Sequence, residues 1–133
     1  MGFADALRAL CERAGDKAEM VVRGAALELG GQMVDRSPVD TGRFKNNWVT
    51  ATGAPDASRS AEPDMSGARS SAMLREKIAG WKPGQTIWIL NNLPYAKRLE
   101  YGWSKQAPGG MVRLAVQNYA QAIKKAADQV RGP

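Results

Sequence analysis

The sequence predicts an α+β domain, and three observations carry that prediction. Apolar residues recur at helical spacing at both ends of the chain, two stretches between them are rich in the β-branched and aromatic residues that suit strands, and a turn-forming run separates the first helix from the first strand. At 133 residues the chain has the length of one domain over 1–133.

The first helix is the clearest element. Phe3, Leu7, Leu10, Ala14, Ala18, Val21, Ala25 and Leu29 recur at steps of three and four, with charged residues between them. Gly15 and Gly24 each cost about 1 kcal/mol relative to alanine, which close packing against a neighbour would offset. Gly30-Gly31 could end the helix, but Met33 and Val34 continue the spacing, so it is expected to run to about Arg36. The run Ser37-Pro38-Val39-Asp40-Thr41-Gly42-Arg43-Phe44 then stops it. Pro38 has no amide hydrogen and disfavours helix at Ser37, Asp40 can bond its own downstream backbone, and Gly42 can take a positive φ.

Phe44 to Thr52, with Trp48, Val49 and threonines, is expected to be a short strand. From Thr52 to about Ser70 the chain is rich in Gly, Pro, Ser and Ala, with Met65 as its one large apolar residue, so it reads as a long flexible arm between strands. Ser70 or Ser71 can cap a short helix carrying Leu74 and Ile78, with Gly80 just past its end. Pro83-Gly84 turns the chain into Gln85 to Asn91. Its Ile87, Trp88, Ile89 and Leu90 predict a central strand covered on both faces. A two-turn helix is expected at Tyr95 to Gly102, and Trp103 to Pro108 is a loop or short strand. In a final helix after Gly109-Gly110, Val112, Val116, Tyr119, Ile123, Ala126 and Val130 form one packing stripe.

Composition excludes much chemistry. There is no histidine and one cysteine, Cys11, so histidine catalysis, disulfide frameworks and Cys/His zinc sites are absent. No phosphate-binding glycine loop or nucleophile elbow is present, and no cofactor, metal or enzymatic activity is expected. No apolar run reaches the roughly 20 residues that span a bilayer, nor does the N-terminal run resemble a secretory leader. The net charge of +6 suits polyanions. Lys97-Arg98, Lys105, Arg113 and Lys124-Lys125 with the rings of Tyr95, Tyr101 and Trp103 leave open a small basic nucleic-acid-binding protein, although no recognised nucleic-acid motif accompanies them.

Two patches, taken in order with their flanking helices, resemble a known family. SPVDTGRFKNNW (Ser37 to Trp48) and LPYAKRLEYGWSKQAPGGMVRLAV (Leu93 to Val116) are similar to the small neck or tail-component proteins of long-tailed bacteriophages of the lambda and Hong Kong 97 type. The resemblance covers most of the chain outside the arm. It implies an α+β fold in which long N-terminal and C-terminal helices pack on a small antiparallel sheet, with short helices between. It also implies a structural virion protein that forms a homo-oligomeric ring at the head–tail junction, as a neck, head–tail joining or tail completion component assembled in the host cytoplasm. The partners implied are further copies of itself, portal or adaptor connector proteins, tail terminator or tail tube proteins, and DNA passing through the channel without sequence specificity. Thr41, Gly42, Arg43 and Trp48 fall in the first motif and Tyr95, Leu99, Glu100, Tyr101, Gly102 and Trp103 in the second. The resemblance implies that they shape the fold and place subunit contacts.

Overall fold

In a computed structural model of the chain, residues 18–39, 41–102, 104–107 and 109–131 are described. Expectations for Phe3 to Ala14, Cys11, Gly15, Asp40, Trp103 and Pro108 lie outside the described residues. Helix α1, Ala18–Asp35, buries Val21, Ala25 and Val34 from the expected stripe, while Ala18 and Leu29 are only partly buried and Gly30 is buried in place of Leu29. It runs straight through Gly30-Gly31 and stops one residue short of Arg36. There the Ser37 N–H reaches the Val34 carbonyl at 3.2 Å and the Ser37 hydroxyl donates to the Met33 carbonyl at 2.8 Å, satisfying groups that Pro38 leaves without helical partners.

Strand β1 is Trp48–Thr52, shorter at its start than the sequence suggested. Lys45–Asn47 is a single 3-10 turn: the Gly42 carbonyl accepts from Asn46 N–H and the Phe44 carbonyl from Asn47 N–H, each at 3.0 Å. These local bonds outcompete the strand tendency of Phe44. Strand β2, Ile87–Asn91, pairs antiparallel with β1, Trp48 opposite Asn91 and Thr52 opposite Ile87. Gln85 and Thr86 lie outside it, because Gln85 closes a turn on Lys82 and its carbonyl accepts from the Trp81 indole at 2.8 Å. The sheet has two strands among the described residues, so β2 is no central strand. All five of its residues are partly exposed. Ile87 and Ile89 line an apolar hollow of about 320 Å³ with Val22, Leu29 and Met33 of α1, and the Ile89 δ-methyl comes close to Gly30, so the strand is not covered on both faces.

Helix α2, Ala68–Ala79, buries Ser70, Leu74 and Ile78. It begins ahead of the expected serine cap: the Ser66 hydroxyl accepts from Ala68 N–H at 3.1 Å, while Ser70 turns inward and donates to the Lys45 carbonyl at 2.7 Å. Helix α3 is the short Ala96–Glu100, followed by Gly102 at positive φ. The expected final helix is two: α4, Val112–Gln117, and α5, Tyr119–Arg131. At Asn118 the N–H is shared between the Leu114 and Ala115 carbonyls, and the backbone leaves the helical region. The single stripe therefore breaks. Ile123 and Ala126 are buried as expected, but Met111 and Ala115 replace Val112 and Val116, which face outward.

The core has two centres. Val21 and Ala25 of α1 meet Ile123, Ala126 and Ala127 of α5, with Tyr119 and Val130 at the edge. A side chain on Gly24 would put its Cβ 2.9 Å from that of Ala126, so glycine lets these helices approach closely. The second centre joins Val34, Phe44, Trp48, Leu93, Ala107 and Met111. Full burial of a side chain such as Met111 is worth about 1.5–3 kcal/mol. Arg23 crosses from α1 to the end of α2, donating to the Trp81 carbonyl at 2.6 Å with its guanidinium 5.4 Å from the Trp81 ring centre.

Candidate functional site

The two sequence patches that carry the family resemblance are one structural unit. Val39 and Gln106, 67 residues apart, exchange a reciprocal pair: Val39 N–H donates to Gln106 Oε1 at 2.8 Å and Gln106 Nε2 donates to the Val39 carbonyl at 3.0 Å. The glutamine amide thus stands in for a strand partner and closes the turn against the later loop. Beneath this bond, Phe44 sets its ring edge-on to Trp48 at 5.8 Å and tilts against Tyr95 at 6.3 Å. Leu99 packs on the same cluster. A hollow of about 280 Å³ lies between Pro38, Val39 and Thr41 to Phe44 on one side and Tyr95, Leu99, Ser104 and Gln106 on the other.

Each named residue of the first motif has a local task. The Thr41 hydroxyl accepts from Arg43 N–H at 3.2 Å, bracing the turn, and the Arg43 carbonyl accepts from the Asn47 amide at 2.6 Å while its side chain is exposed. Gly42 has φ +91°, and a Cβ there would lie 2.5 Å from the Met65 nitrogen. Glycine is required twice over, by conformation and by the arm lying against it. Trp48 is buried, and its indole donates to the Ser37 hydroxyl at 2.6 Å.

In the second motif Glu100 is the organising residue. Its Oε1 accepts from the N–H groups of Met111 and Val112 at 2.9 and 2.8 Å, and its Oε2 accepts from Arg113 N–H at 3.0 Å and Arg113 Nε at 3.1 Å. Arg113 also donates to the Glu100 carbonyl. The carboxylate caps the first turn of α4 from a distant part of the chain, where the unpaired amides and helix dipole favour negative charge. Burial pushes the Glu100 carboxyl upward, but the amides of Val112, Arg113 and Met111 and the Arg113 side chain outweigh it and hold it below its ordinary value. Gly110, at φ +82°, makes room: a Cβ there would sit 2.4 Å from Glu100 Oε2. Arg113 also lies 5.1 Å from the Tyr101 ring centre. Tyr101 is exposed, and Gly102 ends α3 with its N–H on the Leu99 carbonyl.

Asparagines to which the sequence reading gave no role hold the arm. The Asn47 amide nitrogen donates to the Ser60 carbonyl at 2.9 Å and its Oδ1 accepts from Ser60 N–H at 2.8 Å. Asn46 donates to the Glu62 carbonyl at 2.8 Å, and Asn92 donates to the carbonyls of Asp56 and Ser58 at 2.9 and 3.2 Å. Asp64 N–H donates to the Gly42 carbonyl at 3.1 Å. The arm is low in apolar residues, as composition indicated, yet it is laid across the domain by side-chain amides rather than by a core. The adjacent asparagines of FKNNW and NNLP were the available signal, since an amide can satisfy an irregular strand that has no sheet partner.

Arg113 is bound to Glu100, and Lys125 pairs with Glu28 at 3.1 Å, a contact that holds the Glu28 carboxyl below its ordinary value. Tyr95 packs on Phe44 rather than standing free. Among the described residues no group of three or more acidic or cysteine side chains is arranged to hold a metal, and no helix is long and apolar enough to cross a membrane. The chain matches no family model, no curated protein and no solved structure.

Proposed function

We propose that this chain is a structural virion protein of a long-tailed phage or prophage, forming a homo-oligomeric ring at the head–tail junction as a neck, head–tail joining or tail completion component. The observation that supports this most is the joining of the turn and the Tyr95 to Gly102 segment into one packed unit whose polar groups are spent on structure. Glu100 caps a helix, Gln106 closes a turn, and Trp48 and Ser37 bond each other. The reading also draws on the order and spacing of the two motifs. Its mechanism is stoichiometric: exposed apolar side chains hold neighbouring copies, connector and tail proteins are the further partners, and the positive charge tolerates DNA in the channel.

The alternative, a small basic nucleic-acid-binding protein, draws less support because Arg113 and Lys125 are engaged in ion pairs and Tyr95 is half-buried against Phe44. Native mass spectrometry and negative-stain microscopy across a concentration series separate the two. The structural reading expects a closed ring and, in mobility-shift assays, weak DNA binding. A protein that stays monomeric and binds DNA tightly, with a steep loss as salt rises, overturns it.

A further inference from the structure

The arm is held to the domain at alternate residues. The carbonyls of Asp56 and Ser58 accept from the Asn92 amide, Ser60 exchanges a pair of bonds with the Asn47 amide, the Glu62 carbonyl accepts from Asn46, and Asp64 N–H donates to the Gly42 carbonyl. A spacing of two is that of an extended strand whose every second residue turns to its neighbour. Here the rungs are mostly side-chain amides. No core backs them: none of residues 54–66 is buried, and Ser60 and Asp64 alone are partly so. A segment with little buried apolar surface and solvent-exposed bonds belongs to the part of a fold that opens first.

The ends and the underside of the arm point the same way. Gly53 and Gly67, at φ +87° and +74°, bound it. Gly53 N–H is tied to the Thr86 carbonyl at 2.8 Å and Gly67 stands at the start of α2, so both ends are anchored while the stretch between rests on polar rungs. Beneath Ser58, Arg59 and Ser60 lies a hollow of about 160 Å³ whose other walls include Asn47, Val49 and Met73. Asn46 lines it too and is 7% exposed; its amide nitrogen serves Glu62, and its Oδ1 is buried with no hydrogen-bond partner among the described residues. An unmet buried acceptor disfavours the closed arrangement, because lifting the segment bonded to that amide brings water to the oxygen.

We propose that residues 54–66 form a strap that lifts from the domain as one unit about Gly53 and Gly67, without unfolding the rest, and so gates the hollow beside the start of β1. The strap is independent of the ring reading. Its successive rungs share one extended backbone, so loss of the Asn92 rung at one end loosens Asp64 at the other.

Hydrogen exchange of the full chain in low urea tests this. The Ser60 and Asp64 amides, both bonded in the closed strap, are expected to share one shallow dependence on urea, because lifting exposes little surface. Ala25 in α1 is expected to show the steep dependence of global unfolding. Asn92→Ala removes the bonds to Asp56 and Ser58 and touches neither of the amides read, yet it should speed exchange at both by one common factor of about fivefold. The hollow is read separately in a chain with Cys11→Ser and Val49→Cys. Val49 is 5% exposed, and labelling of that chain by a thiol reagent should rise by the same factor when Asn92→Ala is added. Exchange at Ser60 and Asp64 as steeply urea-dependent as at Ala25 makes the arm part of the global fold and overturns the strap. An Asp64 rate that Asn92→Ala leaves unchanged shows separate fraying and overturns the single unit, and a labelling rate that does not follow the exchange overturns the gate.

Discussion

The Trp48 indole donates to the Ser37 hydroxyl at 2.6 Å, and that hydroxyl donates to the Met33 carbonyl at 2.8 Å, so one side chain ties the first residue of β1 to the last turn of α1. Both residues are buried. Ser37→Ala leaves a buried indole N–H without an acceptor, which costs about 1–3 kcal/mol. Trp48→Phe removes the donor as well as ring area, and the double variant is expected to cost less than the sum of the two. Urea midpoints of the four proteins measure this coupling, and strictly additive costs would show that the hydroxyl is not the tie.

Gly42 joins the turn to the arm. Gly42→Val forces a β-branched residue to φ +91° and drives its Cβ into the backbone of Met65. The strain is expected to cost about 2–3 kcal/mol. The arm is then displaced, so the Asp64 amide, bonded to the Gly42 carbonyl in the wild type, loses its protection from hydrogen exchange. Unchanged stability and unchanged exchange at Asp64 would remove the requirement for glycine here.

Helical period made α1 and α5 legible in the sequence, because a buried stripe such as Val21 and Ala25 leaves a trace at every turn. The existence of the two strands and the stop near Ser37 were legible from local residues, whereas the antiparallel pairing came from the family resemblance alone. The break at Asn118 was not. Val112 and Val116 keep the right spacing, but with Glu100 capping α4 and Met111 seated in the core it is Met111 and Ala115 that face inward instead. Phe44 had strand character, but the turn that claims it depends on Gly42 and on the arm beyond. The candidate site was named residue by residue without its joints. Val39 and Gln106 are bonded across 67 positions, a pairing that no local pattern encodes.

Glu100 makes stability depend on acid. Its folded carboxyl is held below the ordinary 4.5, so the stabilisation is whole above that value and is lost as pH falls through the lower folded value. Glu28, Asp56 and Asp64 are lowered too, so the informative quantity is a difference. Glu100→Gln is expected to be less stable than wild type by about 1–2 kcal/mol near neutral pH. The gap narrows as pH falls below 4.5 and through the lowered folded value, because protonation removes the same charge from the wild type. Urea midpoints at several pH values test this, and a constant gap would assign the acid sensitivity elsewhere.

Adjacent glycines in α1 are expected to respond in opposite directions to the same substitution. At Gly31 a Cβ meets nothing within 4 Å, and the position is inside a helix, where alanine is better than glycine by about 0.5–1 kcal/mol. Gly31→Ala should therefore raise the urea midpoint. At Gly30 a Cβ lies 2.7 Å from one Leu74 methyl, 2.9 Å from the other and 3.1 Å from the Ile89 δ-methyl. Leu74 is buried and has little room to turn aside. The same gain in helix propensity is outweighed by overpacking of about 1–3 kcal/mol, so Gly30→Ala should lower the midpoint. Leu74→Val, which shortens the side chain Gly30 faces, should restore part of that loss in the double variant. If the two alanine variants shift stability equally, the gap between α1 and α2 is wider than these contacts require.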